Sequence, residues 1–394
     1  MSEKIKLSYY LSHPIQYFSP LLRSLAEKTE LSVYYFSDLS IKGSIDKGFG
    51  REVKWDIPLL QGYDSVFLKN YSRTQSMDNR FFDAVNPGVI ASIRKDKAQV
   101  VLVNGWSYFS TILVIVAGRM MGRKIWLRAE SPLNQELQKS SKVIRIKKIL
   151  LGKLLFKRLV HRFLYIGTEN RDFYKYYGVP EEKLIYTPYA VNNDHFQGEA
   201  RKYKDDLPAL KIQLGISPEK KVVLFTGKFI AKKRPMDLVK AFEAIGMGDW
   251  QLVMVGDGEL RPEMEAFIKE RGMSNVSLTG FVNQGSISQY YAIADVFVMC
   301  SGVGETWGLS VNEAMNFSKP VIVSATCGCS TDLVSDGING FVFPEGELAE
   351  LQAALLKVMQ SESDRKRMGA ASLDKINSFS IDAIVTNITK ALYQ

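Results

Sequence analysis

Short apolar runs of strand length alternate with amphipathic segments of helix length along most of the chain. Several of the runs, such as VVLF at 222–225 and VFVM at 296–299, are apolar without interruption. Strands buried on both faces of a parallel sheet have this character. Strand, helix and strand repeated in this order predict an α/β protein built on doubly wound parallel sheets.

The same alternation occurs in both halves, and 394 residues are too many for one comfortable core. We therefore predict an N-terminal domain over 1–195 and a C-terminal domain over 196–379, with the boundary in the polar, turn-rich stretch 192–220. The last segment, about 380–394, has helical spacing and could pack back on the first domain. The predicted strands are 5–12, 31–37, 100–103, 124–128, 162–166, 221–226, 251–255, 276–279, 295–300 and 320–324.

Charge divides unevenly between the two halves. Residues 1–195 hold 30 Lys/Arg and 18 Asp/Glu, a net +12, whereas residues 196–394 hold 21 and 24, a net −3. A basic half attracts phosphates, anionic lipid headgroups or nucleic acid. The sequence lacks the interleaved aromatic residues and the Gly-rich or zinc motifs of nucleic-acid binders, which argues against nucleic acid as the partner.

Composition also bears on compartment and cofactors. Three cysteines make a secreted disulfide framework improbable, and we expect no signal peptide in the opening residues. The most apolar stretch, 111–117, is shorter than the ~20 residues of a membrane span and is interpreted as a buried helix. His, Cys, Asp and Glu do not cluster at metal-ligand spacing, so we expect no metal cofactor. We expect a cytoplasmic protein that is at most peripherally bound to the inner face of the cell membrane.

The most informative motif is SGVGETWGLSVNEAM, which follows a predicted buried strand and opens a helix. Glu305 is expected in the loop and Glu313 on the helix, so that both could reach one bound molecule. Gly308 lets backbone N–H groups approach a phosphate or a sugar hydroxyl, and the helix N-terminus favours negative charge. A solvated loop Glu and a surface Glu explain the pattern equally well; the strand and the glycines favour a site.

A second motif, TGKFIAKKRP, follows the first strand of the second domain, where doubly wound folds place a phosphate-binding turn. Lys228 and Lys233 could converge on a pyrophosphate leaving group. A solvated basic loop is the alternative. Gly256, in the turn VGDGEL, and Phe281, after the strand 276–279, could lie near a base, although a tight turn and a core aromatic explain them as well.

Three further candidates end strands of the first domain. His13 follows the first strand, and Arg128 and Glu130 lie at the end of the strand 124–128. Ligands of open α/β sheets bind at the carboxyl ends of the strands, so these side chains are candidates for catalysis or sugar binding. A lone histidine is more often a satisfied structural residue.

The run 139–162 holds nine Lys/Arg and no acidic residue, interleaved with Leu, Ile and Phe. It includes Lys147, Lys148, Lys157 and Arg158 and could contact an anionic membrane or the acceptor. Its apolar residues spread beyond one stripe of a helical wheel, so a core helix with a basic outer face is an equal alternative.

Taken in order, GK(x)4K, VGDGEL, GF, ADVFVMCS, E(x)7E, KPVIVS and DGINGFVFP resemble family 4 of the retaining glycosyltransferases, over residues 160–345. The resemblance implies the GT-B fold, two Rossmann-like domains facing a cleft. It implies a hexosyltransferase that uses a nucleotide sugar and needs no metal. The opening SHPIQYF stands where many members have a Gly-Gly loop, and RAES stands where many have a His. HPIQY is similar to a bacterial subgroup involved in surface polysaccharides.

The resemblance also implies site residues. Lys228 and Lys233 correspond to the pair that binds the pyrophosphate, with Lys228 in place of the usual Arg. Glu305 corresponds to the Glu that contacts the donor sugar and Glu313 to the Glu that binds the ribose. Gly308, Leu309 and Ser310 match the loop whose backbone approaches sugar and phosphate.

The expected function is therefore the transfer, with retention, of a sugar from a UDP- or GDP-sugar to a saccharide or lipid-linked acceptor. Bacterial cell-surface polysaccharide biosynthesis is the expected setting. A GT-B epimerase or hydrolase would turn over the donor without an acceptor saccharide. A non-catalytic membrane-surface or sugar-binding protein would not need Glu305, Glu313 and Lys233 together.

Overall fold

Two parallel β-sheets organise the chain in the computed structural model, which describes residues 4–46, 51–53, 56–73, 77 and 80–394. The described residues divide into two units. The first takes Met1–Ser44, Val53–Tyr189 and Ile381–Gln394, and the second takes Ile45–Glu52 and Ala190–Ser380.

The first unit is built on a seven-stranded sheet in the order β5-β2-β1-β6-β7-β8-β9, with every neighbouring pair parallel. Two short strands, β3 and β4, pair with each other apart from it and belong largely to the second unit. The strands are β1 Lys6–Leu11, β2 Glu30–Tyr35, β3 Ser44–Asp46, β4 Arg51–Val53, β5 Asp64–Phe67, β6 Val100–Asn104, β7 Lys124–Arg128, β8 Arg162–Tyr165 and β9 Leu184–Tyr186.

Helices connect these strands, as parallel pairing requires. They are α1 Phe18–Lys28, α2 Leu39–Lys42, α3 Val89–Asp96, α4 Phe109–Met120, α5 Leu133–Glu136, α6 Ser141–Lys147, α7 Lys157–Leu159 and α8 Thr168–Tyr176. A π-helical segment, Lys148–Phe156, joins α6 to α7. Short 3₁₀ turns occur at Phe81–Asp83 and Glu181–Lys183.

The second unit repeats the design with a six-stranded parallel sheet in the order β12-β11-β10-β13-β14-β15. Its strands are β10 Lys221–Thr226, β11 Trp250–Val255, β12 Val276–Gly280, β13 Val296–Met299, β14 Val321–Ser324 and β15 Gly340–Phe343. Its helices are α9 Asn193–Tyr203, α10 Leu207–Gln213, α11 Pro235–Ile245, α12 Arg261–Glu270, α13 Gln284–Ile293, α14 Leu309–Asn316, α15 Ser330–Leu333, α16 Leu348–Met359 and α17 Glu362–Ile376. Two 3₁₀ turns, Lys204–Asp206 and Ala231–Lys233, complete it.

The last helix, α18 Ile381–Leu392, groups with the first unit. It packs on α1 and β9, and Asn387 donates a hydrogen bond to the Tyr186 carbonyl at 2.9 Å. The two units divide between Tyr189 and Ala190, slightly before the boundary drawn from sequence. The reason is that α9, which begins at Asn193, packs against α13 and α14 of the second unit.

Each sheet is buried between helices, which explains its uninterrupted apolar strands. In the second unit, for example, all six residues of β11 are buried, and Trp250, Leu252 and Met254 lie in the core.

The ten strands predicted from sequence are present. Five strands were missed. Of these, β5, β9 and β15 are short and lie at sheet edges, and β3 and β4 have three residues each and form a separate pair. Among the described residues, no helix is both long enough and apolar enough to cross a membrane.

Candidate functional site

The second sheet has a topological switch point between β10 and β13, because the strand order runs one way from β10 and the other way from β13. Ligands of open α/β sheets bind at the carboxyl ends of the strands beside such a point. The loops that follow β10 and β13, residues 227–234 and 300–308, therefore flank the preferred position. They carry the lysines and the first glutamate that the sequence analysis selected.

Across this switch point, the ammonium of Lys233 contacts a carboxylate oxygen of Glu305. Both side chains are largely buried, with 16% and 12% of their surfaces exposed. Burial alone would raise the pKa of Glu305, but the ammonium groups of Lys233 and Lys232 outweigh it and hold that pKa below its ordinary value. Glu305 is therefore a carboxylate at neutral pH.

Positive charge exceeds negative charge in this place. Lys232, which the sequence analysis did not select, donates to the carbonyl of Gly304 at 3.2 Å. Desolvation lowers the pKa of Lys232; Glu305 opposes this shift, while Lys233 and Lys228 add to it. Lys233 and Lys232 thus act on one carboxylate, and Lys228 is near enough to act on Lys232. Such a cluster of ammonium groups can bind the oxygens of a diphosphate.

The helix α14 begins beside the cluster, and its first turn contains Leu309 and Ser310, both partly exposed. Gly308, directly before it, has φ +108°, and a Cβ there would lie 2.6 Å from the sulfur of Met299. Glycine is therefore required at 308 for both conformation and space. The first N–H groups of a helix attract anions, so this turn can bind a phosphate or a sugar oxygen.

The loop after β14 packs directly on the loop that carries Glu305. Gly328 donates to the Glu305 carbonyl at 3.1 Å, and Cys329 donates to the Trp307 carbonyl at 3.1 Å. A Cβ on Gly328 would lie 1.9 Å from the carbonyl oxygen of Thr306. The backbone that presents Glu305 is thereby held from its far side.

Glu313 lies on α14 and is almost completely buried, with 3% of its surface exposed. Tyr291 donates to one of its carboxylate oxygens at 2.6 Å and Gln284 donates to the other at 3.2 Å. The Tyr291 hydroxyl is also 2.9 Å from the hydroxyl of Thr226, at the end of β10. Tyr291 and Gln284 orient this carboxylate, and neither residue carries a signal in the sequence that marks it for this role.

The two residues expected near a base have different surroundings. Gly256 has φ +148°, and a Cβ there would lie 1.8 Å from the carbonyl oxygen of Gly227, so the close approach of two loops explains this glycine. Phe281 directly follows β12 and is only partly buried. It is therefore not a core aromatic, and its exposed part lies at the carboxyl end of the sheet.

In the first unit, the switch point lies between β1 and β6. His13 follows β1, and its Nδ1 is 3.1 Å from the hydroxyl of Ser12. Burial lowers the pKa of His13 to about 4, so its imidazole is neutral at pH 7. A neutral imidazole can exchange hydrogen bonds with a sugar hydroxyl.

Arg128 and Glu130 form an ion pair at the end of β7, with Nη1 and Oε1 3.0 Å apart. The guanidinium is buried and lies 4.7 Å from the ring centres of both Phe18 and Tyr189. Asn104 on β6 is a second, longer contact at 3.4 Å. The structure therefore brings these two predicted residues together, with the arginine enclosed and the glutamate partly exposed.

The basic run 139–162 forms α6, the π-helical segment and α7. Lys147 differs from its basic neighbours, because it bonds Glu136 at 2.5 Å and lies over the rings of Phe173 and Tyr177. Burial lowers its pKa despite the carboxylate. Lys147 therefore stabilises the first unit and is not available to a membrane, whereas Lys148, Lys157 and Arg158 are exposed.

The apolar residues of this run spread beyond one stripe because they form two faces. Leu155 and Phe156 pack into the core. On the outside, large apolar side chains with 43–55% of their surface exposed are Val143, Ile146, Ile149, Leu150 and Leu154. Four of these recur at intervals of three or four residues and so lie along one side of the segment.

No group of three or more His, Cys, Asp or Glu side chains in the described ranges could hold a metal ion. The comparison with protein families gives a match in the second unit. Residues 208–374 match the family model described as Glycosyl transferases group 1.

Similar proteins are found by sequence and by structure. Alpha-monoglucosyldiacylglycerol synthase of Acholeplasma laidlawii is 32% identical over 160 residues, which are 40% of this chain and 39% of that protein. The chain spans 62%, 39% and 34% of the length of three curated relatives that it matches, less than two thirds of each.

Solved structures match nearly the whole chain. HepE of Anabaena, crystallised with UDP and glucose, has a TM-score of 0.74 at 16% identity, with 99% of each chain covered. WaaG, a glycosyltransferase involved in lipopolysaccharide biosynthesis, has a TM-score of 0.68 at 15% identity, covering 98% of this chain and 99% of that one. These likenesses concern the fold, and they confirm the predicted class of two Rossmann-like domains. Over residues 208–374 this chain thus matches the glycosyl transferases group 1, and over nearly its full length it has the GT-B fold.

Proposed function

We propose that this protein is a retaining glycosyltransferase that moves a sugar from a UDP- or GDP-sugar to a saccharide or lipid-linked acceptor. One observation carries the proposal: a lysine cluster and a buried carboxylate meet at the switch point of the second sheet, beside the start of α14. That arrangement fits a donor with a diphosphate next to a sugar. The match of residues 208–374 to glycosyl transferases group 1 supports the same conclusion.

The donor binds on the second unit. Lys233 and Lys228, with Lys232 beside them, hold the diphosphate, and the first turn of α14 adds backbone N–H groups. Glu305 accepts hydrogen bonds from the sugar. Glu313 accepts them from the ribose, in the orientation that its bonds from Tyr291 and Gln284 give the carboxylate. UDP and glucose in crystals of HepE support a UDP-sugar as the first donor to test.

The chemistry requires no residue of this chain to form a covalent intermediate. As the bond between sugar and diphosphate breaks, negative charge grows on the leaving oxygens, and the lysine cluster stabilises that charge. The acceptor hydroxyl attacks on the face that the leaving group vacates, and a phosphate oxygen takes its proton. Neutralisation by lysines replaces a metal ion in this scheme.

Bacterial cell-surface polysaccharide biosynthesis is the proposed setting. WaaG, a structural neighbour, is involved in lipopolysaccharide biosynthesis, and a relative from Acholeplasma laidlawii is named alpha-monoglucosyldiacylglycerol synthase. Acceptors of this kind are carried at the inner face of the cell membrane. The exposed apolar side of 143–154, flanked by Lys148, Lys157 and Arg158, fits an anionic membrane surface, where each basic residue contributes about 1 kcal/mol.

A thermal-shift screen with UDP, GDP and their common sugar derivatives tests the donor proposal. A ligand that binds the folded state raises its stability by RT ln(1 + [L]/Kd), which is about 2.7 kcal/mol at 100 times Kd. We expect one nucleotide series to raise Tm in wild type and to do so much less in Lys233→Ala. No shift with any nucleotide in wild type would contradict the proposed function.

A further inference from the structure

The ion pair of Arg128 and Glu130 is poorly explained by stability alone. Arg128 has 2% of its surface exposed, and its Nε makes no well-formed hydrogen bond within the described part of the chain. A buried ion pair generally costs as much in desolvation as it returns in attraction. If the pair served only to stabilise the fold, well-packed apolar side chains at this position would do so equally well.

The position of the pair is that of a binding site. Arg128 ends β7 in register with Asn104 of β6, the strand that borders the switch point of the first sheet. Glu130 is two residues farther on, beyond the carboxyl end of the strand, and 25% of its side chain is exposed. A carboxylate at this edge of a doubly wound sheet can meet a ligand.

The surrounding groups fix the orientation of that carboxylate. The guanidinium cannot tilt freely, since the Phe18 and Tyr189 rings lie 4.7 Å from it. The Tyr189 hydroxyl stands beside Glu130, and burial together with that carboxylate raises the pKa of Tyr189 well above its ordinary value. Tyr189 therefore remains a hydrogen-bond donor, so that an arginine and a tyrosine both hold Glu130.

The chemistry of the exposed group selects the ligand. The cation is enclosed and the anion is presented, so a phosphate would meet a negative charge first. A fixed carboxylate instead accepts strong hydrogen bonds from hydroxyl groups, such as those of a sugar. The neutral imidazole of His13, in the loop after β1, adds no charge that would attract an anion.

We propose that Glu130 binds a hydroxyl group of the acceptor saccharide and that Arg128 is its positioning residue. This inference rests on the proposed function and assigns the acceptor to the first unit. Removing the carboxylate then weakens binding of the acceptor and leaves nucleotide binding intact. Loss of one charge-assisted hydrogen bond corresponds to roughly tenfold to hundredfold weaker acceptor binding.

The test uses octyl glycosides of glucose, galactose, mannose and N-acetylglucosamine as acceptor probes. Their binding is measured by saturation-transfer NMR, and transfer is measured with the nucleotide sugar that gives the largest thermal shift. The variants are Glu130→Gln, Arg128→Lys and the double variant. Glu181→Gln is the matched control, because Glu181 forms an exposed ion pair with Arg171 in the same unit.

We expect Glu130→Gln to raise the acceptor KM tenfold or more while Kd for UDP stays within twofold of wild type. Arg128→Lys should give the same pattern, and the double variant should be no worse than Glu130→Gln, since both act through one carboxylate. Unchanged acceptor KM in Glu130→Gln, or no glycoside binding to wild type, would overturn the proposal. If the wild type does not bind UDP, the proposed donor site is refuted instead. A failure of the acceptor proposal is thus distinguished from a failure of the proposed function.

Discussion

The contact between Lys233 and Glu305 implies that the carboxylate of Glu305 and the diphosphate of UDP compete for the Lys233 ammonium. Lys233 is assigned to the diphosphate, yet in the unliganded chain its ammonium is already neutralised by Glu305. UDP must therefore displace that carboxylate before it gains the full attraction of the lysine. We expect Glu305→Gln to bind UDP more tightly than wild type does, although it transfers sugar more slowly.

The magnitude follows from the interaction that UDP has to replace. A hydrogen bond between charged groups contributes about 1.5–3 kcal/mol. The amide of a glutamine retains part of it, because its oxygen still accepts from the ammonium. A net gain of about 1–2 kcal/mol remains, which corresponds to roughly 5- to 30-fold tighter binding of UDP. The rate should move the other way, because in the proposed mechanism Glu305 holds the sugar in its reacting orientation, so that kcat depends on that contact.

Isothermal titration with UDP, at one fixed salt concentration, measures the first effect, and kcat with the identified donor measures the second. Glu345→Gln is the matched control: Glu345 lies at the same sheet edge but pairs with Arg234, at 3.5 Å. Its affinity for UDP should stay within twofold of wild type. The reasoning is wrong if Glu305→Gln binds UDP as wild type does or more weakly while Tm shows that it is folded.

Three further variants test other parts of the site. Lys233→Ala should weaken UDP binding by about 1.5–3 kcal/mol in titration calorimetry, and unchanged affinity would remove Lys233 from the diphosphate site. Glu313→Gln should mainly raise the donor KM, since the ribose does not react; steady-state kinetics showing only a lower kcat would contradict that role. Replacing the exposed Lys148, Lys157 and Arg158 by Gln should reduce the fraction of protein that sediments with phosphatidylglycerol vesicles, with the larger reduction at low salt, and should not change Tm. If the wild type does not sediment with such vesicles at low salt, the membrane contact is refuted.

Sequence patterns predicted the interior of each sheet better than its edges. A central strand such as β10 is apolar along its length because helices cover both of its faces. The missed strands β5 and β9 are at the two ends of the first sheet, and β15 is at one end of the second. An edge strand has only one strand neighbour, and β5 accordingly alternates exposed and partly buried residues over four positions. Such a short pattern does not differ from that of a loop.

At the candidate site, the sequence indicated which residues follow strands but not which of them meet. Lys233 and Glu305 are separated by 72 positions, and their contact depends on β10 and β13 being neighbours. That adjacency follows from strand order, which no local pattern contains. The same holds for Tyr291, whose bond to Glu313 joins α13 to α14. The different roles of the lysines in the basic run were still harder to predict, because Lys147 differs from the lysines around it only through its contact with Glu136.

Gly328 bears on how the specificity of this site can change. Its missing Cβ lets the loop after β14 lie against the carbonyl of Thr306 at a distance that no other residue permits. Positions 325 and 326 of that loop are at least partly exposed and can vary in size and polarity, whereas Cys327 and Cys329 are buried beside the glycine. Selection of a randomised 325–329 library for use of a different nucleotide sugar should therefore return varied residues at 325 and 326 and glycine at 328. The backbone that carries Glu305 is thus a fixed frame within which new donor preferences can evolve.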